Sequence, residues 1–182
     1  MHPIYFKDPQ LGLLGYGNSI PGWMRLGELN WLYLMAQIMD SIVEIGSWRG
    51  RSTDALLDGC KGTVWAVDHF KGNKEHTKEQ RKDIYKFFLK NVGHYKNLKV
   101  LKMSSLRAAK KFKDKSIDMV FIDGGHEYKE VKADIEAWLP KTKKLICGHD
   151  YYEEGVKRAV REILGNVNIF DLIWIKPIKE VL

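Results

Sequence analysis

The sequence is poor in cysteine, and it has no apolar run long enough to cross a membrane. Its two cysteines, Cys60 and Cys147, fall in different predicted elements, so neither a disulfide framework nor a cysteine-based metal site is indicated. The longest apolar stretch, residues 31–39, contains Gln37 and is far too short for a bilayer. No charged segment followed by an apolar run opens the chain as a secretory leader would. We therefore expect a cytoplasmic protein without membrane contacts.

Prolines are also few, and the chain is long enough to bury a core. It has 182 residues, of which 45% are hydrophobic, and domains of this size need no disulfide or metal staples. Residues 1–23 show no regular period and contain several glycines, which predicts an arm or loop. This arm is either a poorly ordered terminus or a cover for a binding site. Residues 24–182 should form one domain.

Positive charge is concentrated in one segment. The net charge is +7, but residues 69–115 contain 15 lysines and arginines against 4 acids, a local charge of +11. The rest of the chain carries 15 against 19, or −4. Such a segment attracts phosphorylated substrates, nucleic acid or anionic lipid, although a solvated face is the simpler interpretation. Charge alone therefore names no partner.

Strand-like and helix-like segments alternate along the chain. Nearly continuous apolar runs predict strands at residues 41–46, 63–68, 98–101, 117–122 and 144–148, with one or two more within 168–175. Periodic apolar residues predict helices from residue 24, after the first strand, and at 76–91, 104–111, 127–139 and 153–164. This alternation favours a doubly wound, mostly parallel α/β sheet in a single three-layer domain.

Two of the predicted helices have a recognisable pattern. The apolar face of the first helix consists of Leu29, Leu32, Ala36 and Met39, and Glu28 falls off that face. The helix at 76–91 belongs to a basic helical insertion of about residues 69–97. Its lysines recur every four residues, at Lys74, Lys78, Lys82, Lys86 and Lys90. They should form a solvent-facing stripe, with the lining of a substrate entrance as the alternative.

A glycine turn follows the first predicted strand. Gly46 and Gly50 allow the backbone to approach a ligand where a Cβ would collide, and Ser52 or Thr53 can cap the helix that follows. The middle glycine of a dinucleotide-binding motif is missing, since position 48 is tryptophan, and NAD is therefore disfavoured. Glu44 is poorly suited to a pyrophosphate but well suited to a cationic sulfonium or amino group.

Acids and histidines collect at the predicted carboxyl ends of the strands, where such sheets bind ligands. They are Glu44, Asp68, His69, Asp123, His126, His149 and Asp150. Asp68 follows Glu44 by 24 residues, at the end of the next strand, where a carboxylate can accept both hydroxyls of a ribose. This predicts an adenosine-containing cofactor. The structural alternatives are a turn acid at Asp68, a helix cap at His126 and a strand-end histidine at His149.

These segments resemble a known family. Residues 44–53, Glu-Ile-Gly-Ser-Trp-Arg-Gly-Arg-Ser-Thr, resemble motif I of class I S-adenosylmethionine-dependent methyltransferases. Residues 122–128, Ile-Asp-Gly-Gly-His-Glu-Tyr, and 148–151, Gly-His-Asp-Tyr, are similar to a small O-methyltransferase-like group that includes macrocin O-methyltransferase and cephalosporin-hydroxylase-type proteins. The resemblance covers roughly residues 24 to 165 and implies a Rossmann-like class I methyltransferase fold with S-adenosylmethionine as cofactor.

The resemblance also implies a role for each of these positions. The pocket for the methionine part of the cofactor would be shaped by Glu44, Gly46, Ser47, Gly50 and Ser52. Asp68 would hold the ribose, with His69 and the loop that contains Ser104 near the adenine. Asp123 would border the cofactor and take part in catalysis, with His126 as general base. Asp123 and Asp150 would hold a divalent cation such as Mg²⁺, as metal-dependent relatives do.

The implied function is O-methylation of a small hydroxylated molecule, such as a sugar or a phenolic compound. Metal-free transfer remains an alternative to metal assistance. A second hypothesis is methylation of nucleic acid or a nucleotide, which the local charge of +11 motivates. A third is a non-catalytic, cofactor-binding interaction subunit. The sequence leaves the oligomeric state open, with a homodimer as one alternative.

Overall fold

A seven-stranded sheet runs through the computed structural model, which describes residues 20–74 and 76–178. Its strands are β1 (Ser41–Ile45), β2 (Thr63–Asp68), β3 (Leu98–Lys102), β4 (Ile117–Ile122), β5 (Thr142–Gly148), β6 (Asn168–Phe170) and β7 (Ile173–Pro177). Their spatial order is β3-β2-β1-β4-β5-β7-β6. Strands β1 to β5 are parallel, and β7 is antiparallel to both β5 and β6. The predicted doubly wound, mostly parallel sheet is confirmed.

Six α-helices cover the two faces of the sheet within the described part of the chain. They are α1 (Leu26–Ala36), α2 (Arg51–Gly59), α3 (Ile84–Val92), α4 (Ser105–Ala109), α5 (Tyr128–Trp138) and α6 (Glu154–Leu164). Successive residues of a strand face opposite sides, and β1 shows the result: Ile42 packs with α1, α2 and α3, while Val43 packs with α4, α5 and α6. The sheet is therefore the middle layer of three.

The prediction of a helix at 76–91 is wrong in its first half. Residues 78–83 form turns, and α3 begins only at Ile84. Thr77 and Gln80 exchange side-chain hydrogen bonds with each other's backbone N–H groups, the arrangement of a helix-starting capping box, but the helix does not continue from it. Asp83 then adopts a left-handed backbone with φ 52°. Among the five lysines of the predicted stripe, only Lys86 and Lys90 lie on a helix.

The segment before α1 is tied to the domain by one arginine. The Arg51 guanidinium donates hydrogen bonds to the carbonyls of Ile20 (2.7 Å) and Met24 (2.9 Å), and both of these side chains are buried. Residues 1–19 of the predicted arm lie outside the described residues. The division into an arm at 1–23 and a domain at 24–182 stays a prediction. Within the described ranges, no helix is both long and apolar enough to cross a membrane.

Candidate active site

The glycine turn between β1 and α2 packs directly against the end of β4. Gly46 has φ +89°, and a Cβ at this position would collide with the backbone carbonyl of Asp123. Gly50 has φ +92°, and Trp48 between them is also left-handed, with φ 42°. Only glycine fits position 46 without strain. The sequence suggested that glycine is needed here so that a ligand can approach the backbone. The structure shows that position 46 needs glycine because two loops of the protein touch there.

Glu44 lies beneath this turn rather than on a cavity wall. Its side chain has no exposed surface, and its two carboxylate oxygens accept hydrogen bonds from the hydroxyls of Ser52 (2.6 Å) and Thr53 (2.5 Å). Burial raises the pKa of Glu44 to about 7, although the hydroxyl groups oppose the shift. Glu44 therefore fixes the first turn of α2, while Ser47 and Ser52 themselves line a cavity.

The first of two adjoining cavities, the β2-side cavity, has a volume of about 340 Å³. Its walls include Gly46, Asp68, His69, Ser104, Asp123 and Gly124. Asp68 is anchored there because its carboxylate accepts the backbone N–H groups of Trp48 (2.8 Å) and Phe70 (2.6 Å). Each carboxylate oxygen has a second lone pair, so Asp68 can still accept the hydroxyls of a ribose. The structure thus brings together Asp68, His69 and Ser104 as the sequence predicts.

The second cavity, the β5-side cavity, has a volume of about 360 Å³ and lies on the other side of the glycine turn. Its walls include Trp23, Ser47, Ser52, His126, His149, Asp150 and Tyr152. Six of the described residues line both cavities: Gly46, Trp48, Asn73, His76, Asp123 and Gly124. The two cavities therefore adjoin along a shared wall that includes the glycine turn and the end of β4.

Three predicted site residues converge in the β5-side cavity. His126 Nε2 lies 2.8 Å from Asp150 Oδ2, and Asp123, His126 and Asp150 each present a donor atom within 4.8 Å of the others. Asp150 has a left-handed backbone with φ 57°, a conformation that aspartate tolerates better than most residues. The carboxyl ends of β4 and β5 are adjacent, which explains why residues far apart in sequence meet here.

His149 is buried and has a carboxylate at both ring nitrogens. Nδ1 lies 3.1 Å from Asp150 Oδ1 and 3.8 Å from Asp123 Oδ1, and Nε2 lies 3.1 Å from Glu28 Oε1. Burial lowers the pKa of His149, but the hydrogen bonds to Asp150 and Glu28 outweigh it and raise the pKa to about 10. The ring is therefore an imidazolium at neutral pH. It is a structural member of the site, in line with the strand-end alternative.

The pKa values of Asp123 and Asp150 are shifted in opposite directions. Burial raises the pKa of Asp123 to about 6, with the positive charge of His149 acting against the shift. Burial also acts to raise the pKa of Asp150, but hydrogen bonds with His126 and His149 hold it well below its ordinary value. Asp150 is therefore ionised at neutral pH, and Asp123 titrates at mildly acidic pH.

Glu28 is the site residue that sequence reasoning missed. Its helix α1 was expected to expose it, yet the side chain has no exposed surface. Its carboxylate accepts hydrogen bonds from the backbone N–H of Arg25 (2.7 Å) and of Leu172 (3.3 Å), in addition to its contact with His149. The one available signal was its position in the first turn of a helix, where glutamate often binds the N-cap N–H group. That signal says nothing about a histidine 121 residues away.

The donor set of Asp123, His126 and Asp150 fits a divalent cation. Carboxylate oxygens are the ligands that Mg²⁺ prefers, whereas an imidazole nitrogen is more usual for transition-metal ions. The two carboxylates come from the adjacent strand ends that the sequence pointed to. The two carboxylates, Asp123 and Asp150, would hold the ion.

Comparisons with known proteins agree with this arrangement. A family model described as "Methyltransferase domain" matches residues 43–151, which include the second half of β1, all of β2 to β5 and the strand-end acids. A curated relative, an uncharacterized protein of Sinorhizobium fredii, is 30% identical over 136 residues. That alignment covers 70% of this chain, but the chain spans only 15% of the relative.

Solved structures share the fold. An O-methyltransferase from Bacillus cereus in complex with SAH is 18% identical, with a TM-score of 0.64 over 93% of this chain and 89% of the other. A methyltransferase from Geobacter sulfurreducens is 16% identical, with a TM-score of 0.62 over 97% and 91%. At these identities the likeness shows the fold alone.

Proposed function

Since the chain belongs to the methyltransferase-domain family and has the fold of class I methyltransferases, we propose that it transfers a methyl group from S-adenosylmethionine to a hydroxyl oxygen of a small molecule. One observation carries the proposal. The two cavities share a wall that includes Gly46, Asp123 and Gly124; one cavity has a carboxylate suited to a ribose, and the other has a histidine paired with a carboxylate. Donor and acceptor can thus be aligned across one short boundary.

The β2-side cavity fits the cofactor. Asp68 would accept the ribose hydroxyls, and His69 and Ser104 would border the adenine. The methionine part would then lie toward Gly46 and Ser47, where the two cavities meet. Glu44 would act on this part only indirectly, through Ser52. The chemistry supplied by the bound cofactor is an electrophilic methyl group on a sulfonium.

His126 is the proposed general base. With Nε2 donating to Asp150, the nitrogen that accepts a proton is Nδ1. Asp150 is ionised and fixes both the tautomer and the orientation of the ring, and its charge stabilises the imidazolium that forms when the acceptor hydroxyl loses its proton. Asp123 lies next to both His126 and Asp150, and it lines both cavities.

Asp123 and Asp150 would also hold a divalent cation such as Mg²⁺, whose chemistry is to polarise the acceptor oxygen and lower its pKa. The close approach of their donor atoms supports this assistance. The direct test is calorimetric titration of the metal-stripped protein with Mg²⁺ and, separately, Mn²⁺. Assistance requires binding that Asp123→Asn abolishes; absence of binding together with transfer in the presence of a chelator favours the metal-free alternative.

The rim of the β5-side cavity supports a ring-bearing acceptor. Trp23 is 64% exposed and Tyr152 is 63% exposed, and both line the cavity. The Trp23 ring packs 4.7 Å from the Trp48 ring, which also stacks on His76 at 5.6 Å. Aromatic faces bind planar rings and the apolar faces of sugars. We therefore retain a phenolic compound or a sugar as the acceptor.

Transfer of radiolabelled methyl from S-adenosylmethionine to a panel of phenols and sugars tests the proposal. His126→Asn should lower kcat by about 10²- to 10⁴-fold, the usual contribution of a general base, while cofactor affinity stays unchanged. An active wild type with an equally active His126→Asn variant would remove the general-base role. An inactive wild type on every acceptor would count against O-methylation.

A second candidate is methylation of nucleic acid, which the basic segment at 69–115 favours. In the described part of the chain, however, none of the lysines of this segment is among the residues that line the two cavities. Binding through those lysines would weaken steeply with salt. Filter binding with single-stranded RNA at two salt concentrations distinguishes the candidates, because absent or salt-independent binding removes this one. The cytoplasmic location and the oligomeric state stay predictions.

A further inference from the structure

We propose, building on the function proposed above, that Glu28 and His149 are positioning residues that hold Asp150, and through it His126, in a fixed orientation. The four side chains form one hydrogen-bonded line from α1 to the β5-side cavity. The contacts are Glu28 Oε1 to His149 Nε2 (3.1 Å), His149 Nδ1 to Asp150 Oδ1 (3.1 Å) and Asp150 Oδ2 to His126 Nε2 (2.8 Å).

Glu28, at the α1 end of this line, is held in place by the backbone. Glu28 is fully buried, and its other contacts are backbone N–H groups at the start of α1 and in the turn between β6 and β7. Backbone donors on two separate elements leave its carboxylate no room to reorient. A buried carboxylate that also contacts a histidine therefore sets the plane of that ring.

The second link transmits this constraint. His149 is bonded at both ring nitrogens, so the ring cannot flip without breaking two hydrogen bonds. Its contact with Oδ1 of Asp150 leaves Oδ2 directed to His126. Asp150 thus has one oxygen for each histidine. Loss of Glu28 should release His149 first, then loosen Asp150, and finally allow the His126 ring to move.

The contact with the backbone of Leu172 gives a purely structural alternative, in which Glu28 only attaches the β6–β7 turn to α1. The surface pair of Arg25 and Asp171, at 2.7 Å, joins the same two elements without touching either histidine. Asp171→Asn is therefore a matched control, since it weakens the same junction and leaves the hydrogen-bonded line intact.

The test is long-range ¹H–¹⁵N spectroscopy of the histidine rings in the full-length protein, with Glu28→Gln compared with wild type. We expect the His126 resonances to move and its Nε2 proton to exchange about tenfold faster, the effect of weakening one hydrogen bond to a charged group. Affinity for S-adenosylhomocysteine, measured by calorimetry, should stay the same. Asp171→Asn should leave His126 unchanged.

If Glu28→Gln does not fold, His149→Gln is tested in its place. This variant removes the ring that joins Glu28 to Asp150, and it should move the same His126 resonances. The inference is overturned if His126 keeps its wild-type spectrum in the folded variant, or if Asp171→Asn shifts it equally. The spectra need no acceptor, so this outcome is independent of methyl transfer. Where an acceptor is turned over, Glu28→Gln should lower kcat and leave KM for the cofactor unchanged.

Discussion

At the scale of single residues, the most consequential feature is the fully buried carboxyl group of Glu44 beneath the glycine turn. Glu44 satisfies both oxygens with hydroxyls of α2, yet burial still raises its pKa to about 7. In the unfolded chain this carboxyl group has its ordinary pKa of about 4.5. Between these two values, rising pH removes a proton from the unfolded chain but not from the folded one, and stability is lost.

Glu44→Gln should therefore change the pH dependence of stability. The variant has no proton to lose, so its free energy of unfolding relative to wild type should rise between about pH 5 and about pH 8, by up to about 3 kcal/mol. Urea unfolding at both pH values measures the trend. Glu79→Gln, at an exposed carboxylate, is the control and should show no such trend. A difference between Glu44→Gln and wild type that stays constant with pH would contradict the raised pKa.

At the scale of elements, the glycine turn of β1–α2 is a packing device before it is a ligand site. A side chain at Gly46 would meet the backbone at Asp123 and would have to adopt φ +89°. Gly46 and Asp123 both belong to the wall that the two cavities share. The alignment that the proposed methyl transfer requires would therefore depend on a glycine that holds two loops together.

Gly46→Ala should cost about 3 kcal/mol or more of stability, because both the positive φ and the collision oppose it. Thermal and urea unfolding measure the loss. Gly27→Ala is the matched control: Gly27 lies in α1 with open space around it, and alanine there should stabilise the protein by about 0.5–1 kcal/mol. Equal effects of the two substitutions would show that the Gly46 contact is weaker than the structure indicates.

The strands and helices also show how much of the fold and the site can be predicted from the sequence. Strands β2 and β4 were predicted with their observed bounds because buried parallel strands are continuous apolar runs. The meeting of Asp123 with Asp150 followed from the adjacency of strand ends in such sheets. The helix at 76–91 was wrong because regularly spaced lysines do not distinguish an exposed helix from exposed turns. Glu28 was missed because its contact with His149 depends on how α1 packs, which no local pattern encodes.

At the scale of the whole molecule, the lysine and arginine side chains of residues 69–115 lie apart from the linings of the two cavities. Among the described residues, none of the lysines and arginines of the basic segment lines either cavity, although His69 and Ser104 of the same segment do. Screening by salt weakens long-range attraction between exposed charges far more than contacts inside a cavity. The affinity for S-adenosylhomocysteine should therefore change less than about threefold across a salt series, which calorimetry measures. A steep decline would place the lysines in cofactor binding.

In the proposed function, the β2-side cavity binds S-adenosylmethionine through Asp68. Calorimetric titration of the wild type with S-adenosylmethionine, and of the Asp68→Ala variant in parallel, tests it most directly. We expect one site per chain in the wild type and a loss of at least about tenfold in affinity in the variant, since at least one hydrogen bond to a charged group is removed. No binding by a folded wild type, or equal affinity in the two proteins, would contradict it.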